Sequence, residues 1–337
     1  MKQHTISEYL EGLGVLLSKQ CGGSPFTFNI SICGKTIRLE FVDPVQGALM
    51  KSRLSGMLTQ SDNDINAIFR FHEDDLIKYL PEGMPVNVET CRSKDETGMI
   101  RLTTGWTMDA VDIKNRVFYT IWNKSSNQQF TEKVVHPLIE PFNSWALLTD
   151  MIMIHSAAVG VDGKGVLISG WGGKGKSTLS ISCLLNGMDF VADDYVMLNS
   201  SGSLKAMPIY TMVALNPDMY KALKPDLPVI CTLAGQGGKV QLDASSCHFA
   251  ESLEIGAVVC PTLSDLNEPE IVSIPGGGVF STIILSSIRQ AGRQKDAELI
   301  KKMAWRLKDL PVYEIKLTKD VTKNALFLRD FIKKKEK

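Results

Sequence analysis

The sequence predicts an α/β fold in two domains, a smaller α+β domain over residues 1–130 followed by an α/β domain over 131–337. Three observations predict this division. The chain has 337 residues, enough for roughly two domains of ordinary size. Its first part alternates apolar and polar residues with the period of two that is typical of strands, whereas its second part contains a strand, a glycine-rich loop and a helix in direct succession.

Composition and charge exclude several classes of protein. Basic and acidic residues both number 37, and no stretch of the chain forms the dense basic surface that nucleic-acid binding needs. Hydrophobic residues make up 44% of the chain and charged residues 22%, while the longest apolar runs are too short to span a bilayer. The seven cysteines are widely spaced, without a Cys-x-x-Cys pair. We therefore expect a cytoplasmic protein with no nucleic-acid or membrane partner and no disulfide framework.

The first domain contains a predicted β-hairpin. Residues 26–33 and 36–41 alternate apolar and polar side chains on either side of Gly34 and Lys35, which form a tight turn. Further strands are predicted at 85–90, 99–103 and 116–122. The histidines of this part have no partner at the spacing of a metal site or a catalytic triad, so we expect this domain to carry no chemistry.

A second hairpin is predicted near the start of the second domain. Residues 137–148 form an apolar helix that leads into a strand over 151–159. The Asp162-Gly163 pair marks a turn, and residues 166–169 form a short buried strand. These strands should run antiparallel, and the second of them leads directly into the glycine-rich loop.

The glycine-rich segment matches the phosphate-loop pattern G-x-x-x-x-G-K-[ST]. Its sequence is GWGGKGKS over 170–177, and a helix is predicted to follow over 178–186. Glycines let the backbone approach phosphate oxygens closely, and a helix N-terminus adds partial positive charge. We expect Lys176 to reach the β- and γ-phosphates of ATP and Ser177 to bind Mg²⁺; the alternative is a glycine-rich turn that matches by chance. The residues predicted to contact the nucleotide are Gly170, Gly172, Gly173, Lys174, Gly175, Lys176, Ser177 and Thr178.

Two carboxylates and a histidine are the remaining candidates for chemistry. Asp193 and Asp194 directly follow a strand predicted over 189–192, at the strand end where ligands collect in sheets of this kind. One carboxylate could orient Mg²⁺ while the other accepts a proton from an attacking hydroxyl; the alternative is that both are solvated loop acids. His155 lies in the strand before the turn, next to the strand that feeds the loop. Its imidazole either faces the phosphates, holds an aspartate or is structural.

Four segments together resemble the catalytic domain of HPr kinase/phosphorylase and its HprK-like serine kinase relatives. They are HSAAV at 155–159, GVLISG at 165–170, GGKGKST at 172–178 and VADD at 191–194. The resemblance implies a P-loop kinase domain of the HPr kinase and phosphoenolpyruvate carboxykinase type. The smaller domain that precedes it does not resemble the usual N-terminal domain of that family.

By position, the resemblance also implies roles for individual residues. Lys176 would bind the phosphates, Ser177 and Asp193 would bind Mg²⁺, Asp194 would accept the proton of a serine hydroxyl, and His155 would support the site. The implied activity is an ATP- and Mg²⁺-dependent serine kinase that acts on a protein, a peptide or a small molecule.

The sequence departs from the family pattern in two places. Only Asp218 lies near the position of a second Mg²⁺-binding residue, where the family has a glutamate, and residues 273–278 lack the arginine of a later family motif. The alternative is therefore a nucleotide-dependent regulatory or binding protein with a degenerate kinase site. A carboxykinase-like enzyme would need a further His and Asp metal set that the sequence does not contain. A homo-oligomer is compatible with the sequence.

Overall fold

A computed structural model describes residues 5–20, 24–81, 90–103, 107–124, 137–149, 151–170, 173–233, 237–290 and 296–335. The chain forms two compact units, Met1–Leu148 and Thr149–Lys337. The helix predicted over 137–148 belongs to the first unit, so the boundary lies later in the chain than the expected 130/131. Mixed sheets dominate both units, and the chain is a mixed α/β protein.

The first unit is built on an eight-stranded sheet with the strand order β3-β1-β2-β4-β8-β7-β6-β5, parallel only where β4 meets β2 and β8. Its elements are α1 (Ile6–Gln20), β1 (Phe26–Ile32), β2 (Lys35–Phe41), α2 (Pro44–Arg53), β3 (Leu58–Thr59), β4 (Ile65–Asp74), β5 (Thr90–Lys94), β6 (Gly98–Thr103), β7 (Thr107–Asp112), β8 (Val117–Asn123) and α3 (Ile139–Leu147). Leucines on one face of α1 pack on this sheet, and each buried leucine contributes roughly 1.5–3 kcal/mol.

The predicted hairpin is present as β1 and β2, with its turn one residue earlier than expected. Ile32 pairs with Lys35, so the turn residues are Cys33 and Gly34. Both have positive φ, 51° and 70°, which is the conformation of a type I′ turn that matches the twist of the strands. The strands predicted over 99–103 and 116–122 are confirmed as β6 and β8, whereas residues 85–89 lie outside the described part of the chain.

The second unit carries a nine-stranded and a three-stranded sheet. Its elements are β9 (Met151–His155), β10 (Ala157–Val161), β11 (Lys164–Ile168), α4 (Lys176–Leu185), β12 (Asp189–Ala192), β13 (Tyr195–Asn199), β14 (Lys205–Pro208), β15 (Met212–Leu215), α5 (Pro217–Leu223), β16 (Val229–Leu233), β17 (Lys239–Asp243), β18 (Leu253–Leu263), β19 (Glu270–Ile274), α6 (Gly277–Gln290), α7 (Ala297–Leu307), β20 (Val312–Leu317) and α8 (Val321–Lys334).

The larger sheet brings several strand ends to one edge. β10 lies between β11 and β12 and is antiparallel to both, so the carboxyl ends of β11 and β12 and the start of β10 lie together. β18 is parallel to β11 and β20 is parallel to β18, so their carboxyl ends lie at the same edge. We call this the loop edge; it carries residues 169–175, 193–194, Leu263 and Leu317.

Helices α4 and α8 cover the sheet beside the loop edge. Leu179, Ile181 and Cys183 of α4 are buried in one apolar cluster with Leu328 of α8. The helix ends where Gly187, at φ 72°, turns the chain into β12, as a C-terminal glycine commonly does. α4 is therefore held firmly beneath the loop that precedes it. No helix in the described part of the chain is long and apolar enough to cross a membrane.

Candidate functional site

The loop after β11 adopts a backbone path that only glycine follows easily. Gly170, Gly173 and Gly175 have φ angles of 151°, 79° and 94°. A Cβ atom on Gly175 would also lie 2.8 Å from Cδ1 of Leu317, which is closer than such contacts normally come. The described part of the predicted phosphate loop is thus a sharp turn at the loop edge. Gly172 lies outside the described residues.

The loop leads into the half-exposed start of α4. The helix begins at Lys176 with Gly175 as its N-cap, and no side chain caps it. The first backbone bond of the helix runs from the N–H of Leu179 to the carbonyl of Gly175, at 2.9 Å. The preceding N–H groups, which include those of Ser177 and Thr178, have no carbonyl within the helix to bond. This is the arrangement that attracts anions to helix N-termini.

A lysine and an aspartate meet at the loop edge. Lys176 Nζ donates to Asp194 Oδ1 at 2.6 Å and to the main-chain oxygen of Asp193 at 3.0 Å. Lys176 is largely buried, and Asp194 is partly open to solvent. The first residue of α4 is thereby clasped to the link between β12 and β13. We call the Lys176–Asp194 ion pair the clasp.

His155 contacts Asp194 of the clasp, but its strand has a different neighbour in the sheet from the one expected. The single strand predicted over 151–159 is wrong, because Ser156 separates β9 from β10. β9 pairs with β13, which sets His155 opposite Tyr195, whereas β10 pairs with β11. His155 Nε2 lies 2.7 Å from Asp194 Oδ1. The histidine therefore lies beside the strand that follows the aspartates, and not beside the strand that feeds the loop.

The two neighbouring aspartates point to different partners. The Asp193 carboxylate is 3% exposed, and its Oδ2 atom accepts the N–H of Ala214 in β15 at 3.2 Å. Asp194 instead binds Lys176 and His155. The two residues form the bend between β12 and β13, and their carboxylates have separate partners there. One aspartate ties the loop edge to the three-stranded sheet, and the other faces the loop.

The site accordingly gathers most of the residues predicted for it. Lys176, Asp193, Asp194 and His155 lie together, and Ser177 and Thr178 follow in the first turn of α4. The side chain of Lys174, within the loop, is exposed to solvent, and so is that of Asp218 in the first turn of α5.

Three residues that shape the site carry little signal in the sequence. Ser287 of α6 accepts the backbone N–H of His155 at 2.9 Å, Ala214 holds Asp193, and Leu317 lies against Gly175. Ser287 is a buried hydroxyl, but the adjacent Ser286 means that the sequence does not single it out. The other two act through a backbone N–H or a methyl group, and their partners are distant along the chain.

The geometry fits a phosphate-bearing ligand. The glycine turn packs against Leu317 at the loop edge, the helix start offers N–H donors, and Lys176 supplies an ammonium group at the same edge. Among the described residues, no group of three or more His, Cys, Asp or Glu side chains is arranged to hold a metal ion. In phosphate loops, Mg²⁺ takes a hydroxyl together with phosphate oxygens and water, and Ser177 could supply that hydroxyl.

Comparisons with known proteins give only distant structural likenesses. No family model matches the chain, and no curated protein matches it. One solved structure, the Hpr(Ser) kinase/phosphatase from Coxiella burnetii, is 15% identical and covers 55% of this chain and 99% of its own, with a TM-score of 0.29. The likeness is a distant structural one.

Proposed function

We propose that the second unit is a P-loop kinase domain that binds ATP with Mg²⁺ and transfers the γ-phosphoryl group to a serine hydroxyl of a protein, peptide or small molecule. The observation that carries this proposal is the clasp itself. A lysine at the uncapped start of a helix and a solvent-accessible carboxylate share one site beside a glycine turn. Phosphoryl transfer needs this combination, because it depends on positioned positive charge and a nearby proton acceptor. A cytoplasmic location belongs to the same proposal.

Each residue of the site has a role that its contacts support. Lys176 would exchange its bond to Asp194 for the phosphate oxygens, and the backbone N–H groups at the start of α4 would bind the same phosphates. Bound ATP supplies the phosphoryl group, while Mg²⁺ neutralises the charge on its phosphates. Asp194, released from the lysine, would then accept the proton from the acceptor hydroxyl. His155 would keep the carboxylate oriented through its bond to Oδ1.

The contacts of the two predicted Mg²⁺ ligands, Ser177 and Asp193, support their roles to different extents. Ser177 lies in the first turn of α4, where a hydroxyl can bind Mg²⁺ beside the phosphates. Asp193 as a Mg²⁺ ligand stays a prediction, and its Oδ2 atom already accepts a backbone N–H. We expect the main contribution of Asp193 to be its main-chain oxygen, which positions Lys176.

Calorimetric titration with ATP, with and without Mg²⁺, tests the proposal directly. Charge-assisted hydrogen bonds contribute about 1.5–3 kcal/mol, so Lys176→Ala should weaken ATP binding about ten- to hundredfold. Lys164→Ala is the matched control, because Lys164 starts the strand that feeds the loop but pairs with Glu254 at the opposite edge of the sheet. If the wild-type chain binds no ATP, or if both lysine variants weaken binding equally, the phosphate site is not where we place it.

Substitution of Asp194 distinguishes an effect on catalysis from an effect on ATP binding. Asp194→Asn removes a negative charge that competes with phosphate for Lys176, so ATP should bind at least as tightly as to the wild type. Transfer of labelled phosphate to serine-containing peptides should fall by about 10²–10⁴ if Asp194 is the proton acceptor. Unchanged transfer would remove that role.

One observation favours a second candidate function, a nucleotide-dependent regulatory protein. The clasp joins α4 to the link between β12 and β13, so release of Lys176 by a nucleotide would loosen a structural contact as well as free a base. ATP binding without transfer to any peptide, protein or small-molecule acceptor, together with ATP-sensitive partner binding, would decide for the regulator.

A further inference from the structure

The nine-stranded sheet ends on one side at an exposed strand. Among the described residues, β19 pairs with β20 alone, over five residues and without a register shift. Every residue of β19 is exposed or half-exposed, and Val272 is 42% exposed. The outer N–H and C=O groups of such an edge strand are available to pair with another chain.

Most other edge strands of the described residues carry a recognisable protection against pairing. β3 has only two residues, β5 contains Lys94, and β16 is interrupted by a register shift against β17. β9, β12 and β15 are buried over most of their length. β19 contains neither lysine, proline nor bulge. It is therefore an unusually open pairing edge for this chain.

We infer that β19 accepts an extended peptide as an additional strand, with main-chain hydrogen bonds providing the affinity. The occupant that its position favours is a segment of the phosphate acceptor, and this assignment rests on the proposed function. β19 begins with Glu270 opposite Lys316, and the next residue of β20, Leu317, lies against Gly175 of the loop. The open edge thus runs up to the phosphate site.

Strand spacing predicts where the acceptor serine lies in such a peptide. An added strand would lie two strand spacings from β20, about 10 Å away. A chain that advances about 3.3 Å per residue crosses this distance in about three residues. We therefore expect the serine about three residues outside the segment that pairs with β19, on the side of Glu270.

A second copy of the chain is a poorer occupant of the same edge. A strand of five residues is about 17 Å long and one strand spacing wide, so it presents roughly 80 Å². Stable dimers bury about 800 Å² per partner. A short peptide can bind through a single added strand, because the main-chain hydrogen bonds of that strand provide the affinity.

The test uses the full chain and an array of short synthetic peptides with a fixed serine and randomised neighbours. Val272→Lys places a charge on the edge and should weaken binding of the selected peptides about tenfold or more. Val229→Lys is the matched control, because Val229 is an exposed valine on the edge strand of the smaller sheet, 52% exposed. The control should bind as the wild type does.

Proline substitutions distinguish strand addition from side-chain docking. Successive N–H groups of a strand point to opposite sides, so prolines placed along a bound peptide should abolish binding at alternate positions. One of Val272→Pro and Ser273→Pro should likewise abolish binding without lowering the melting temperature, because it removes an outward donor.

Each remaining outcome counts against the inference. It is overturned if no peptide of the array binds, if Val272→Lys binds like Val229→Lys, or if the peptide proline scan lacks period two. Loss of a dimer on Val272→Lys, measured by light scattering, would assign the edge to a second copy. Peptide binding is measured without ATP and should persist in Lys176→Ala, so failure of the proposed kinase activity is distinguishable from failure of the docking edge.

Discussion

Replacing Gly175 with alanine tests the phosphate loop most sharply, because the structure predicts both of its effects. A residue with a side chain at φ 94° costs about 1–2 kcal/mol in backbone strain. The new Cβ would also lie 2.8 Å from Cδ1 of Leu317, which can move only by opening the cluster in which it is buried. We expect the melting temperature of the second unit to fall by about 2–8 °C. ATP should bind about tenfold more weakly, because the shifted loop misplaces its N–H donors.

Gly163→Ala provides the matched control for Gly175→Ala. Gly163 lies in the turn between β10 and β11 with φ 79°, and nothing lies within 4 Å of the Cβ that the substitution adds. Gly163→Ala therefore adds the same backbone strain as Gly175→Ala but no steric contact. Gly163 also lies at the end of β11 that is opposite the loop. Differential scanning fluorimetry measures stability, and calorimetry with Mg²⁺ and ATP measures affinity. Equal losses of affinity in both variants, or none in Gly175→Ala, would refute the role of the loop.

Two further predictions concern the first unit. Asp109→Asn removes the carboxylate that accepts a hydrogen bond from Nη2 of the buried Arg101 at 2.9 Å, while the charge of Glu140 still acts on the guanidinium, and should lower the free energy of unfolding by about 1.5–3 kcal/mol. Glu254→Gln, which breaks an exposed ion pair, should leave the midpoint of chemical denaturation nearly unchanged. Burial lowers the pKa of His72 below its usual value of about 6.5. As the pH falls below that value, the unfolded chain binds a proton at His72 more readily than the folded chain does, and the folded state loses stability. The melting temperature should therefore fall more steeply from pH 7 to pH 5 in the wild type than in His72→Gln, and parallel curves would contradict this.

Short apolar strands with clear boundaries are the part of this fold that the sequence predicts best. The strand predicted over 189–192 matches β12 residue for residue, and those predicted over 99–103 and 116–122 match β6 and β8 to within one residue. Polar residues, glycine or proline flank each of these runs, so local preference and the final sheet agree. The loop and the start of α4 are predictable for the same reason, since glycine spacing dictates a backbone path before any tertiary contact forms.

The break at Ser156 shows what local pattern misses. Residues 151–159 are apolar apart from His155 and Ser156, so the sequence predicts one continuous strand. The chain instead changes partners at Ser156, because β9 pairs with β13 and β10 with β11 and β12. The hydroxyl of Ser156 is fully buried and donates to the carbonyl of Ile168, which fixes the change of partner. Such a choice depends on residues far away in the sequence and leaves no local periodicity.

The clasp gives the proposed kinase a physical means of making its base accessible only when a nucleotide is bound. In the clasp, the ammonium of Lys176 lies 2.6 Å from Asp194 Oδ1 and shields that oxygen from an acceptor hydroxyl. A triphosphate carries several negative charges and would compete for the lysine against this single carboxylate. Asp194 Oδ1 would therefore become open to an acceptor hydroxyl only when phosphates occupy the loop. His155, whose bond to Oδ1 does not require the lysine, would hold the freed carboxylate in place for the acceptor hydroxyl.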